Sequence, residues 1–144
     1  MTVLDALQTG LAAEHAAVHQ YAVLGGRTRN AVSPLLRSAL DQAYAAHRAR
    51  RDQLTAFVRD EGGEPVAAEA AYAPPDGLGS ADGVTAAALE LERACATTYA
   101  WLVANLVEDQ RRWAVNALTD TAVRVLTFRG SPEIFPGAGE YADR

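Results

Sequence analysis

Four side chains in this sequence could bind a metal ion, namely Glu14, His47, Glu92 and Asp120. Carboxylate oxygens and imidazole nitrogens are ligands that iron, manganese and zinc accept. Two carboxylates and one imidazole, from Glu14, His47 and Glu92, would suit a single Fe, Mn or Zn ion, with Asp120 as a further candidate ligand. Each of the four residues lies in a different segment, so the fold must bring these segments together before any such site can form.

The same residues have a second interpretation, in which no metal is bound. A carboxylate that is buried without a partner is costly, so glutamates that face the core need a neutralising group. Arg50, Arg51 or Arg124 could pair with the two glutamates, while His47 hydrogen-bonds one of them. We favour this ion-pair network at the midplane, in which no cofactor is required and Fe or Mn remains the alternative.

The apolar residues that surround these side chains predict helices. Four segments carry apolar positions at three- and four-residue spacing, which is typical of amphipathic helices. We expect the helices to span about 3–24, 34–60, 84–107 and 110–128. On the helical faces that result, Glu14, His47 and Glu92 lie within the apolar stripes, whereas Asp120 lies beside the stripe of its helix. Ser33 precedes Pro34, and this pair predicts an N-cap and a first helical residue.

The segment between the second and third helices, about 62–83, is rich in proline and glycine and has no sustained period. Its length allows it to run along the whole bundle and to start the third helix at the opposite end. The tail, 129–144, is expected to fold back against one end through Ile134 and Phe135. The sequence therefore predicts a single all-α domain over 1–144, a ferritin-like four-helix bundle with one long crossover between helices 2 and 3.

The metal site of such bundles uses carboxylates from two helices and a Glu-x-x-His pair from each of the other two. Helix 2 has "YAAH" at this place, with Tyr44 instead of the bridging carboxylate. Helix 4 has "DTAV", which begins at Asp120 and contains no histidine. A bridged two-metal site is therefore not expected, and a single ion is the form of metal binding that stays open.

Composition excludes several classes of function. The net charge is −5 and every basic residue is arginine, so a nucleic-acid surface is not expected. No apolar run approaches the roughly 20 residues of a membrane span, and no basic leader precedes an apolar block. The single cysteine, Cys95, cannot form an internal disulfide, which favours a reducing cytoplasm. No phosphate loop or nucleophile motif is present, so we do not expect an enzyme.

The outer face of helix 3 predicts an interaction surface. Ala94 and Thr97 present small side chains beside Trp101, on a side that a monomer would expose to water. Small residues let a partner helix approach, and tryptophan is a frequent interface anchor. We expect a twofold homodimer on this face, and the alternative is that the crossover or the tail covers it.

Five stretches of the chain resemble a known family: "AAEHAAVHQYAVLGGR", "AYAAHRARRDQL", "AAYAPP", "LERACATTYAWL" and "DTAVRVLTFRG" with the later "FPG". They are similar to actinobacterial ferritin-like proteins grouped as a domain family of unknown function. The resemblance covers nearly the whole chain and implies a dimeric four-helix bundle without implying an activity. We therefore expect a non-enzymatic binding or interaction module with a degenerate metal site, and the alternative is an Fe- or Mn-binding protein with weak oxidase activity.

Overall fold

The computed structural model describes residues 1–29 and 33–140. Its four helices are α1 (Val3–Gly26), α2 (Pro34–Asp60), α3 (Ala81–Asn105) and α4 (Glu108–Thr127). No strand occurs within the described residues, so the prediction of an all-α four-helix protein is confirmed. None of the four helices combines the length and the apolar content that a membrane span requires.

The ends of the helices differ slightly from the predicted ones. Helix α1 continues through Gly25 and Gly26, and α3 begins at Ala81 instead of residue 84. The early start of α3 follows from Ser80, whose hydroxyl accepts a hydrogen bond from the first turn. Ser33 occupies the N-cap position of α2 as predicted, but its side chain makes no capping hydrogen bond. Helix α4 begins at Glu108 rather than at residue 110.

The crossover, residues 61–80, lies along α1 and is held by side chains of that helix. Near the start of α1, Gln8 Nε2 donates to the backbone oxygen of Glu64 at 2.6 Å. Near its end, Gln20 Nε2 donates to the backbone oxygen of Ala73 at 2.7 Å. The crossover therefore runs the length of the bundle, and α3 starts beside the end of α1. This confirms the predicted connectivity, in which α3 is antiparallel to α1.

Buried apolar side chains form two clusters, one at each end of the bundle. The cluster near the start of α1 includes Leu7, Leu11, Leu54, Tyr99, Leu102 and Leu106. The cluster near the end of α1 includes Tyr21, Leu24, Leu40, Val84 and Phe128. Full burial of each large apolar side chain stabilises the fold by about 1.5–3 kcal/mol. The buried polar residues Glu14, His47, Arg50, Glu92 and Thr121 lie between these clusters, at the midplane.

The packing of the tail differs from the prediction. Ile134 and Phe135 are 79% and 69% exposed, so the expectation that they anchor the tail is wrong. The tail instead approaches α3 through Gly137, where a Cβ atom would lie 2.4 Å from the backbone oxygen of Ala96. A backbone contact this close requires glycine, whereas Ile134 and Phe135 are directed into solvent. The last residues of the predicted tail, 141–144, lie outside the described residues.

Candidate functional site

His47 lies at the centre of the bundle, between a glutamate from α1 and a glutamate from α3. Its Nδ1 is 2.8 Å from Glu14 Oε2, and its Nε2 is 3.0 Å from Glu92 Oε1. All three side chains are almost fully buried. An ionised carboxylate accepts hydrogen bonds and cannot donate them, so both nitrogens of the ring must be donors. His47 is therefore an imidazolium cation that bridges two carboxylates.

Two opposing effects set the pKa of His47. Burial lowers this pKa, because loss of water disfavours the charged ring. The hydrogen bonds and the negative charges of Glu14 and Glu92 act in the other direction and prevail, so that the pKa of His47 is raised above its usual value of 6.5. The direction of this pKa shift and the hydrogen-bond geometry both favour the charged ring.

Two tyrosines complete the hydrogen bonding of the glutamates. The Tyr21 hydroxyl donates to Glu92 Oε1, and the Tyr99 hydroxyl donates to Glu14 Oε1. The ring of Tyr21 also stacks on His47 with the ring centres 5.2 Å apart. Burial and the charge of Glu92 raise the pKa of Tyr21, so its hydroxyl keeps the proton that it donates. Each glutamate is therefore held both by His47 and by a tyrosine.

Arg50 extends the network from α2 to α3 and α4. Its Nη1 donates to the Tyr99 hydroxyl at 3.1 Å and to Thr121 Oγ1 at 2.9 Å, and its Nη2 donates to Asp120. The guanidinium carbon lies 4.9 Å from the centre of the Tyr99 ring, which adds a cation–π contact. Because Arg50 is buried while the Asp120 side chain is half exposed, this pair connects the midplane to the surface.

Arg124 provides the third cation of the network. It donates to Asp120 Oδ2 at 3.0 and 3.1 Å, and its Nη1 lies 3.9 Å from Glu92 Oε2. That Oε2 atom is buried and has no hydrogen-bond partner among the described residues. Three carboxylates and three cations balance in the network: Glu14, Glu92, Asp120, His47, Arg50 and Arg124. The charges of this network sum to zero only when His47 is protonated.

The arrangement of the predicted ligands does not fit a metal ion. His47 has one nitrogen facing each glutamate, so the donor atoms do not converge on a common point. An imidazolium also has no lone pair to offer a metal. Asp120 lies beyond Arg50, on the side of α4 that faces α2. Among residues 1–29 and 33–140, no group of three His, Cys, Asp or Glu side chains could hold a metal ion.

The arginines that were predicted to neutralise the core glutamates occupy different environments in the structure. Arg124 reaches Glu92 and Asp120, but Arg51 contacts neither glutamate of the midplane. Arg51 instead donates to the adjacent Asp52 at 2.7 and 2.9 Å, near the surface. Its neighbour Arg50 takes the buried position, because that side chain points from α2 towards α4. Of the three arginines predicted as alternative partners of the core glutamates, only Arg124 approaches one of them, and Arg50 and Arg51 contact neither.

The sequence contains a signal for the two tyrosine contacts. Tyr21 follows Glu14 by seven residues on α1, and Tyr99 follows Glu92 by seven residues on α3. Seven residues are about two helical turns, so each pair lies on one face. Since α1 and α3 are antiparallel, the tyrosine of each helix lies opposite the glutamate of the other. Helical spacing alone would classify both tyrosines as core residues and would overlook their hydroxyls.

The histidines beside Glu14 in the sequence lie outside the site. His15 Nε2 donates to the backbone oxygen of Val66 at 3.0 Å, and the ring of His19 lies 5.2 Å from the ring of Tyr72. Both partners belong to the crossover. These histidines therefore contribute to the attachment of the crossover to α1.

The predicted dimer face on α3 is only partly open. Ala94 and Thr97 are exposed, but Trp101 is half buried and packs against the apolar cluster near the start of α1. Thr97 also lines a groove that the tail helps to form with α3 and α4. The tail thus occupies part of the surface that the sequence assigned to a partner.

Fold and site together define an all-α four-helix bundle with buried ion pairs at its midplane. Residues 6–140 match the family described as "Domain of unknown function (DUF4439)", and the chain belongs to that family. The fold is also similar to the crystal structure of a conserved hypothetical protein, rv2844, from Mycobacterium tuberculosis. The two chains are 28% identical with a TM-score of 0.77, over 87% of this chain and 86% of that one.

No curated protein matches the chain significantly. The resemblance to an actinobacterial family of unknown function is confirmed by the family match and the mycobacterial structure. Neither the description of the family nor that of the mycobacterial protein names an activity.

Proposed function

We propose that this protein is a non-catalytic binding or interaction module, in which a buried ion-pair network takes the place of a metal site. The observation that carries the proposal is the position of His47, which donates to Glu14 and Glu92 from opposite sides of its ring. We place the module in the cytoplasm, because Cys95 is a free thiol buried in the core.

The burial of the network argues against catalysis at the midplane. A general acid or base must lie within hydrogen-bond reach of the substrate atom from which it takes, or to which it gives, a proton. Glu14, His47 and Glu92 are enclosed by four helices, and their hydrogen bonds run to one another and to the buried tyrosine hydroxyls. A substrate could reach them only by separating packed helices. The network is therefore better suited to positioning the helices than to chemistry.

Metal binding with weak oxidase activity is the second candidate function, and one observation favours it. Glu92 Oε2 is buried and lacks a hydrogen-bond partner within the described part of the chain. Buried polar atoms normally have a partner, and a bound metal ion would provide one for this oxygen. Coordination by His47 would require the ring to lose a proton and to turn away from one glutamate. Metal binding therefore predicts that Fe or Mn changes the stability of the protein, whereas the ion-pair network predicts no change.

Elemental analysis of protein from cells supplemented with iron and manganese separates the two functions. We expect far less than one metal ion per chain, and a melting temperature that neither metal nor a chelator changes. Glu14→Ala and His47→Ala serve as site variants, Glu92→Gln as an isosteric variant, and Glu90→Ala as a control on the surface of α3. Stoichiometric metal that is lost in the site variants and retained in Glu90→Ala would overturn the proposal.

A further inference from the structure

The outward face of α4 after residue 112 is partly apolar and carries few charges. Val115, Val123 and Leu126 are exposed there, and Val123 is 60% exposed. Between residues 113 and 127 the helix carries only two charged residues, Asp120 and Arg124. These two pair with each other and with the buried network on the side that faces α2. The rest of this stretch presents no charge to solvent.

Exposed apolar residues are concentrated on this side of the molecule. In the described part of the chain, five of the nine exposed large hydrophobic side chains belong to α4 or to the tail: Val115, Val123, Leu126, Ile134 and Phe135. The outer face of α2, by contrast, carries the exposed charged residues Asp41, Arg48, Asp52 and Arg59. Depletion of charge and enrichment of apolar side chains distinguish the core of a protein interface from ordinary surface.

The spacing of residues on this face matches a helix–helix contact between identical chains. Val115, Thr119, Ala122 and Leu126 follow one another at intervals of four, three and four residues. This is the spacing of a two-helix seam. The order is large, small, small, large, and it is the same in both directions along the helix. An antiparallel copy therefore places small side chains against small ones at the centre of the crossing.

We propose that a second copy of this chain packs on this face, with α4 antiparallel to α4 of the partner about a twofold axis near Thr119 and Ala122. Val115 then meets the partner's Leu126, and Thr119 meets the partner's Ala122. The proposal rests on the proposed function in that it names the partner of the interaction module. Two chains of net charge −5 repel each other, and a seam made only of uncharged residues lets them meet there without placing like charges in contact.

The tail extends this face beyond α4. Glu140 accepts hydrogen bonds from the backbone nitrogens of Ile134 and Phe135 at 2.8 and 3.1 Å. These bonds hold the turn while both side chains project into solvent, so little conformational freedom remains to be lost on binding. The flanking residues Glu133 and Pro136 line the same groove of about 450 Å³ as Ala122 of the seam. Ile134 and Phe135 therefore stand beside the α4 stripe and can serve as interface anchors.

Sedimentation equilibrium of charged variants tests the surface. We expect a wild-type dimer at micromolar concentration, and a dissociation constant raised by about 100-fold in Val115→Glu or Leu126→Glu. Val107→Glu is the matched control, because Val107 is 48% exposed at the turn between α3 and α4, outside the seam. The proposal would be overturned if the wild type were still monomeric at about 0.1 mM, which is 100-fold above the expected dissociation constant. It would also be overturned if Val107→Glu weakened the dimer as much as the seam variants do.

Cysteine cross-linking locates the axis independently. The native thiol of Cys95 is buried, so an introduced surface cysteine is the only readily oxidised thiol in the described part of the chain. Mild oxidation should link Thr119→Cys into a covalent dimer and leave Thr97→Cys, on α3, as a monomer on a non-reducing gel. Efficient linkage through Thr97→Cys alone would place the interface on α3 and overturn the α4 assignment. Metal analysis of the same samples tests the proposed function separately, because the α4 seam contains none of the midplane residues.

Discussion

Tyr99 of α3 donates its hydroxyl hydrogen to Glu14 of α1, and Tyr21 of α1 donates in the reverse direction to Glu92 of α3. The two contacts lie on either side of His47, which links the same glutamates. A shift of α1 against α3 by one helical turn would break both contacts at once. This reciprocal pairing therefore fixes the register of the two central helices, a specificity that apolar packing alone leaves less defined.

Removal of either tyrosine hydroxyl should weaken the fold. A buried carboxylate that loses a donor typically destabilises a protein by about 1–3 kcal/mol. We expect this loss for Tyr21→Phe, and a larger one for Tyr99→Phe, because the Tyr99 hydroxyl also accepts from Arg50. Urea unfolding measures both, with the half-buried Tyr44→Phe as control. If Tyr99→Phe were as stable as Tyr44→Phe, the Glu14 contact would contribute nothing to the fold.

Stability should depend on pH through His47. The folded state raises the pKa of this ring above 6.5, so its contribution is complete below the pKa of the unfolded chain. It is lost as pH rises through the folded pKa, and between the two pKa values the free energy of unfolding falls by about 1.4 kcal/mol per pH unit. Urea unfolding of the wild type and of His47→Gln across this interval measures the difference.

The comparison with His47→Gln isolates the buried ring, because every other titratable residue is common to both proteins. We expect the stability advantage of the wild type to shrink as pH rises above neutrality. An advantage that stays constant with pH would mean that His47 is neutral in the folded protein. The ¹⁵N chemical shifts of the ring report its protonation directly and provide a second measurement.

Arg50 and Arg51 should differ strongly in their effect on stability, although they are adjacent in sequence. Arg50→Met removes the charged donor to the buried Tyr99 hydroxyl and Thr121 and one of the two donors to Asp120, and the loss of a buried hydrogen-bond partner destabilises by about 1–3 kcal/mol. Arg51→Met removes a pair with Asp52 near the surface, which typically contributes about 0–1 kcal/mol. Equal losses in the two variants, measured by urea unfolding, would contradict the assignment of Arg50 to the core.

Helical periodicity was sufficient to predict the bundle and part of the site. Glu14, His47 and Glu92 each lie within an apolar stripe, so their burial follows from spacing alone. The length of the crossover predicted the antiparallel relation of α1 and α3. Both features depend on backbone geometry, which a regular helix repeats faithfully from one turn to the next.

Contacts that depend on the direction of a long side chain could not be predicted from helical periodicity. Arg50 and Arg51 flank the stripe of α2 on opposite sides, and only the position of Asp120 on α4 decides which one is buried. The tail has no period at all, so the assumption that Ile134 and Phe135 are buried had no geometric support. Gly137 holds the tail instead, through a close contact with the backbone of Ala96. The composition of the tail does not reveal this contact.

Gly137 and Gly139 provide a matched test of the tail's attachment. Both have positive φ, at 83° and 69°, so an alanine at either position adds backbone strain of about 1–2 kcal/mol. Only at residue 137 would the new Cβ also meet a neighbour, at 2.4 Å from the backbone oxygen of Ala96, whereas no atom of the described residues lies within 4 Å at residue 139. We therefore expect Gly137→Ala to release the tail from α3 and Gly139→Ala to leave it attached. Limited proteolysis should cleave the Gly137→Ala tail much faster, with the helices intact in both variants. Equal cleavage rates would show that the contact with Ala96 does not hold the tail.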